Sequence, residues 1–182
     1  MRHTSAILEE LGISASLIEA RGLSACPEAE RLEVAEVGAD GKEHLLVPEA
    51  AEAWRRLKSA ARQSRHDLFI VSAYRSVERQ ADLIRGKLKK GQDIREILCV
   101  SAPPGFSEHH TGRAVDLATP GVPPLEESFD KTPVFAWLRQ QGGHFGFKLS
   151  YPVGNLHGYR YEPWHWCHVD AQQRIERHKV TG

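Results

Sequence analysis

The sequence predicts an α+β fold, a single domain in which a mainly antiparallel sheet is flanked by helices. Three observations predict it. Helical and strand periodicities follow one another in mixed order rather than as repeating βαβ units. The strand segments are bounded by hairpin and turn signals, the clearest being Gly38-Ala-Asp-Gly41. The 182 residues are enough for one core, and no Pro/Gly/Ser-rich stretch divides them.

Ser5 to Glu19 places Ile7, Leu8, Leu11, Leu17 and Ile18 at roughly helical spacing, interrupted at Gly12, and reads as a short helix and turn. Leu32, Val34 and Val37, the Asp-Gly turn, and Leu45 to Val47 form a hairpin. Pro48 suits the first position of a helix over Glu49 to Arg65, with Ala53, Trp54, Leu57 and Ala61 on one apolar face. Residues 1–65 thus make a helix, a hairpin and a helix ahead of the motif-bearing core, about 66–170. Leu68 to Ser72 is a continuous apolar run, expected to be a strand buried on both faces. It leads into Tyr74-Arg75-Ser76, where Ser76 caps a helix from Val77 to Lys89. A shorter helix spans Asp93 to Leu98, and Pro103-Pro-Gly105 stops regular structure. Gly112 to Ala118 alternates as a strand, with Ala114, Asp116 and Ala118 on one side and Val115 and Leu117 on the core side. A Pro-rich loop, a helix over Val134 to Gln141 and strands over Phe145 to Leu149 and Trp164 to Val169 follow. Ala171 to Lys179 reads as a closing polar helix.

Basic and acidic residues balance at 24 each, so nothing in the charge favours nucleic acid or an anionic membrane surface as partner. No apolar run approaches the roughly 20 residues needed to span a bilayer, and Met1 to Leu11 lacks the apolar core of a secretory signal. Cys26, Cys99 and Cys167 are odd in number and widely spaced, which argues against a disulfide framework and agrees with a reducing compartment. The expected location is the cytoplasm; a periplasmic or extracellular one follows if an export signal has been removed.

Two short segments carry the chemistry. Ser107-Glu-His-His-Thr-Gly-Arg-Ala-Val-Asp116 and Glu162-Pro-Trp-His165 together supply imidazoles and carboxylates in the proportions of a catalytic zinc site. Such a site takes three protein ligands, keeps one position open and needs a nearby carboxylate for proton transfer. His109, Asp116 and His165 suit the ligand roles and Glu162 the base. Gly112 and Ala114 are small enough to leave the space a metal needs. Adjacent His110 competes with His109, and local sequence does not separate them. Cys167 shares the face of His165 but reads better as a small buried hydrophobe. His3, His44, His66, His144, His157 and His178 have no such context and read as surface or packed residues.

The pattern Ser107, His109, Gly112, Ala114, Asp116, followed by Glu162, Trp164 and His165, resembles the zinc D-alanyl-D-alanine carboxypeptidase family, of peptidase type M15. That family includes the vancomycin-resistance carboxypeptidases and dipeptidases and shares its metal fold with lysostaphin-type peptidases and the hedgehog domain. Ser72-Ala-Tyr-Arg-Ser76 with Gln80, and Ser150-Tyr-Pro152, are similar to two further family motifs. Ala73, where the family usually has Gly, is the one departure among them. The resemblance covers about residues 66–170. It implies one Zn²⁺ per chain held by His109, Asp116 and His165, with Glu162 as general base. Arg75 would stabilise the oxyanion. Gln80 is a candidate for binding the peptide backbone, and Ser107 and Tyr151 for binding the terminal carboxylate, against an equal case for structural roles; Trp164 walls the cleft or packs beneath it.

The implied activity is removal of the terminal D-Ala from peptidoglycan stem peptides. In the cytoplasm, imported tetrapeptide muropeptides would make this an L,D-carboxypeptidase of recycling. The alternatives are a D,D-carboxypeptidase on pentapeptides and a D-Ala-D-Ala dipeptidase. A binding module that keeps the zinc fold without catalysis is a reading of another class, which Glu162 and Arg75 disfavour because a structural zinc requires neither.

Overall fold

A computed structural model of the chain describes residues 2–169. The predicted N-terminal helix is two helices, α1 (Arg2–Glu10) and α2 (Ala15–Ala20), because Gly12 turns the chain at φ +69° between them. Ser14 caps α2 by accepting the Leu17 N–H at 3.3 Å. The hairpin forms as expected from β1 (Glu33–Val37) and β2 (Glu43–Leu46), paired antiparallel. Helix α3 (Pro48–Gln63) begins at Pro48 and buries Ala53, Trp54, Leu57 and Ala61 completely. Burying a side chain such as Leu57 is worth roughly 1.5–3 kcal/mol. Trp54 keeps its indole N–H satisfied by donating to Glu36 at 2.9 Å.

Next come β3 (Phe69–Ser72), α4 (Val77–Lys89), α5 (Ile94–Leu98), β4 (Ala114–Ala118), α6 (Pro133–Gln141), β5 (Phe147–Leu149) and β6 (His165–His168). Four strands form one antiparallel sheet in the order β3-β4-β6-β5. Strand β3 is therefore an edge strand. It was expected to be buried on both faces, yet only Ile70 of its four residues is buried. The central strand is β4, buried at all five positions. Val115 and Leu117 join Trp54, Leu57, Ile70, Phe129, Leu138, Phe147 and Trp166 in the main core. The predicted strand from Phe145 starts two residues later, because Gly142–Phe145 is a 3-10 turn ended by Gly146 at φ +88°. The Pro-rich loop contains a further 3-10 turn, Glu127–Lys131. The predicted helix Ala171 to Lys179 lies outside the described residues.

A second cluster joins Ile7, Leu11 and Ile13 to Ala81 and Ile84 of α4 and Ile97 and Leu98 of α5. It anchors α4, whose first turn carries Gln80. Ser76 caps that helix by accepting the Arg79 N–H at 3.1 Å, as its position predicted. Residues 26–29 strap across the motif loop: Cys26 N–H donates to the Gly105 carbonyl and Ala29 N–H to the His110 carbonyl, both at 2.8 Å. Glu28 accepts the Val77 N–H, adding a second cap to α4.

Candidate metal centre and substrate cleft

Strand register brings two of the expected ligands together. Asp116 pairs with Ser72 on β3 and with His165 on β6, and side chains directly opposite on one face stand about 4.5–5.5 Å apart at Cβ. Asp116 Oδ1 therefore lies 3.0 Å from His165 Nδ1. His109 arrives from outside the sheet: it sits in a 3-10 turn, Glu108–Thr111. Ser107 caps that turn by accepting the His109 N–H at 3.4 Å, and Gly112 ends it at φ +64°. A Cβ on Gly112 would lie 2.9 Å from Leu32 and 3.1 Å from Val47. This corrects the reading of Gly112 as room for a metal: its missing side chain makes room for the strap and the hairpin.

The hydrogen bonds fix which imidazole nitrogen each histidine presents. His109 Nδ1–H donates to the Ala73 carbonyl at 2.7 Å, which leaves Nε2 pointing at Asp116 Oδ2, 3.2 Å away. His165 Nε2–H donates to Glu108 Oε2 at 3.0 Å, which leaves Nδ1 on the Asp116 side. His110 is fully buried and fully used: Nδ1–H donates to the Arg75 carbonyl at 2.6 Å and Nε2 accepts the Gly105 N–H at 3.1 Å. Geometry thus separates the two adjacent histidines, one open towards the site and one a staple between loops. Ala73 meets His109 through its backbone carbonyl, and its side chain belongs to the main core.

His109, Asp116 and His165 are buried, and their ligand atoms lie within 4.8 Å of one another. Cys167, on the next outward position of β6, is outside this group. Two imidazoles, each with one nitrogen turned towards Asp116, and that carboxylate form a donor set that suits Zn²⁺. The electrostatics agree. Burial opposes charge on His165, yet its hydrogen bonds to Asp116 and Glu108 raise it to about 10. Two carboxylates thus draw positive charge to this point, a demand that a divalent cation meets. Burial also lowers the pKa of His109, keeping that imidazole neutral as a ligand must be.

Above these residues opens a cleft of about 440 Å³ lined by every sequence-predicted site residue. Glu162 is on the turn before β6, its Oε2 4.0 Å from His165 Nδ1. Burial pushes its carboxyl up to about 7, with the Asp116 charge adding and His165 opposing. Trp166 locks that turn by donating its indole N–H to the Pro163 carbonyl at 2.9 Å. Arg75 reaches in from the β3 end, Nη2 3.0 Å from Ser72 Oγ and 3.8 Å from Asp116 Oδ2. Gln80 is engaged at both ends, accepting from Arg75 Nη1 and donating to the Ala102 carbonyl, each at 2.8 Å. Its carboxamide therefore aims the guanidinium. Ser107 is buried, and its hydroxyl serves the cap described above. Tyr151 lies with its ring 4.7 Å from that of His165 and 4.6 Å from that of Tyr159. Trp164 is half-buried, between the cleft and the main core.

Residues 43–171 match the profile of the VanY family, described as D-alanyl-D-alanine carboxypeptidase. The chain belongs to that family. It is 34% identical over 132 residues to the putative carboxypeptidase YodJ of Bacillus subtilis (strain 168), covering 70% of this chain and 48% of the relative. The chain spans about half the length or less of the curated relatives it matches. Among solved structures it resembles the LD-carboxypeptidase LdcB at TM-score 0.73 and 30% identity, covering 85% of this chain and 78% of that one. It also resembles the vancomycin-resistance D,D-pentapeptidase VanY in complex with Zn(II) at TM-score 0.65 and 25% identity, covering 86% and 89%. These likenesses agree with the antiparallel α+β fold and with zinc as the metal that the three ligands suit.

Sequence reasoning missed Glu108. It sits between two motif residues, where the motif names no residue type, and it orients His165 from the side opposite Asp116. Partners of this kind hold a metal-ligating imidazole in one tautomer and one orientation.

Proposed function

We propose that the chain is a zinc-dependent carboxypeptidase that removes the terminal D-Ala from peptidoglycan stem peptides. We favour the L,D activity, on tetrapeptide muropeptides recycled in the cytoplasm. The observation that carries the reading is the convergence of His109, Asp116 and His165 with Glu162 and Arg75 on one cleft. His109, Asp116 and His165 would hold a zinc ion, which when bound would supply a Lewis acid and lower the pKa of water towards ~7. Glu162 is placed beside His165 to accept a proton from the attacking water and return it to the departing amine. Arg75, aimed by Gln80 and Ser72, is the cation that offsets charge on the scissile carbonyl oxygen.

The choice of L,D over D,D rests on the greater likeness to the LD-carboxypeptidase LdcB, in both TM-score and identity, than to the D,D-pentapeptidase VanY. The likeness to that D,D-pentapeptidase keeps D,D cleavage of pentapeptides as the second reading. The cytoplasmic placement is supported by three free cysteines, as in a reducing compartment. The test incubates the zinc-loaded protein with a muropeptide tetrapeptide and, separately, a pentapeptide, and follows D-Ala and D-Ala-D-Ala release by mass spectrometry. Tetrapeptide-to-tripeptide conversion is the expected result. Cleavage of the pentapeptide alone moves the chain to the D,D class, D-Ala-D-Ala release makes it a dipeptidase, and no release from either refutes the enzyme.

A further inference from the structure

One wall of the cleft is a single face of α4, made by Gln80, Leu83 and Lys87 at the three- and four-residue steps that bring side chains into line. Gln80, at the inner end, is committed to Arg75 and the Ala102 carbonyl. Lys87 lies two turns further out, half-buried, and its ammonium donates to Ser101 Oγ at 2.7 Å. That neutral hydroxyl is its one hydrogen-bond partner among the described residues, and no carboxylate pairs with it there. Other lysines are placed differently: Lys58 pairs with Glu36 at 2.7 Å and exposed Lys131 with Asp130 at 3.3 Å. Of the other cations lining the cleft, Arg75 is tied to Ser72, Gln80 and Asp116, and Arg160 is exposed. Lys87 is thus a partly desolvated charge facing the cleft with donor capacity to spare. It also lies within the electrostatic reach of the reaction centre. Burial lowers its pKa, while Glu162 pulls it up and Arg75 pushes it down.

We propose that Lys87 is a carboxylate-binding residue of the substrate cleft, an assignment whose substrate class rests on the carboxypeptidase reading. An ammonium on a flexible stem binds a carboxylate as a point charge, and such charge-assisted bonds are the stronger ones. In a stem peptide whose second residue is amidated, two carboxylates offer that chemistry: the terminal one of the D-alanine that leaves, and the free side-chain carboxylate of a diaminopimelate at the third position.

The test measures binding by calorimetry on the zinc-loaded Glu162→Gln protein, with and without Lys87→Met. Three tetrapeptides are compared, each with an amidated second residue and carrying lysine, diaminopimelate or amidated diaminopimelate at the third position. Loss of a charged hydrogen bond is expected to raise Kd roughly 10- to 100-fold, with Lys87→Arg staying within a few-fold of the parent. An equal rise for all three peptides assigns Lys87 to the terminal carboxylate. A rise confined to unmodified diaminopimelate assigns it to the side chain. Unchanged Kd for all three overturns the proposal. Wild-type protein that binds the peptides yet releases no D-Ala refutes the carboxypeptidase reading and leaves Lys87 to be judged on Kd. Absence of binding by the parent overturns both.

Discussion

Replacing Glu108 should weaken zinc binding without touching a ligand. Its carboxylate accepts the Nε2–H of His165 at 3.0 Å, and the Glu108 side chain is 27% exposed, so solvent screens the bond only in part. A hydrogen bond to a charged group contributes about 1.5–3 kcal/mol and a neutral one about 0.5–1.5. We predict that Glu108→Gln, which keeps the shape and loses the charge, costs about 1.4 kcal/mol, or tenfold in zinc Kd. Glu108→Ala leaves a buried N–H unpaired and frees the ring to turn, and should reach the upper end of the 10- to 100-fold range for such outer partners. The assay is competition with a chromophoric chelator at fixed pH. Glu49→Gln serves as control, since Glu49 is a half-exposed partner of Arg113. A zinc Kd for Glu108→Ala within twofold of wild type would refute the argument that this carboxylate orients His165.

Further predictions concern neighbouring residues. Glu162→Gln is expected to retain stoichiometric zinc and lose about 10²-fold or more in D-Ala release; wild-type-like turnover would remove Glu162 as base. Asp116→Ala should lose the metal by elemental analysis, and full zinc content would count against its role as ligand. Gln80→Met should lower kcat more than it raises KM, because it frees Arg75 rather than removing a substrate contact; a pure KM effect would make Gln80 a substrate ligand instead. Gly112→Ala adds a methyl at φ +64° within 2.9 Å of Leu32. It should cost about 1–2 kcal/mol or more in urea unfolding, and an unchanged midpoint would contradict the packing described for the strap.

Much of the fold was legible where local signals are strong. Pro48 and the Ala53/Trp54/Leu57/Ala61 face define α3, and Ser76 caps α4 where its position said it would. Less was legible where the answer lies in long-range pairing. The run Leu68 to Ser72 is as apolar as a central strand, but the sheet order puts its strand at an edge, where only Ile70 is buried. That His109, Asp116, His165 and Glu162 come together on one cleft could be read from their motifs. The partners that fix their tautomers, the Ala73 carbonyl and Glu108, could not, because sequence separations of 36 and 57 residues divide them from the imidazoles they hold. Gly112 was misread because a missing side chain gives no hint of which neighbour fills the space.

The pairing of Asp116 with His165 across β4 and β6 has a further consequence for how the chain finds its final state. Successive strand residues face opposite ways, so a slip of β6 by one residue would turn His165 away and present Trp164 or Trp166 instead. The misaligned sheet could still bury indoles and would act as a kinetic trap, but it would hold only two of the three expected ligands. Zinc present during folding would therefore act as a proofreader, drawing the population to the one alignment that binds it. Refolding from urea with zinc should accordingly give a higher yield of native protein than refolding without it and adding zinc afterwards. Equal yields would show that the alignment is chosen by side-chain packing alone.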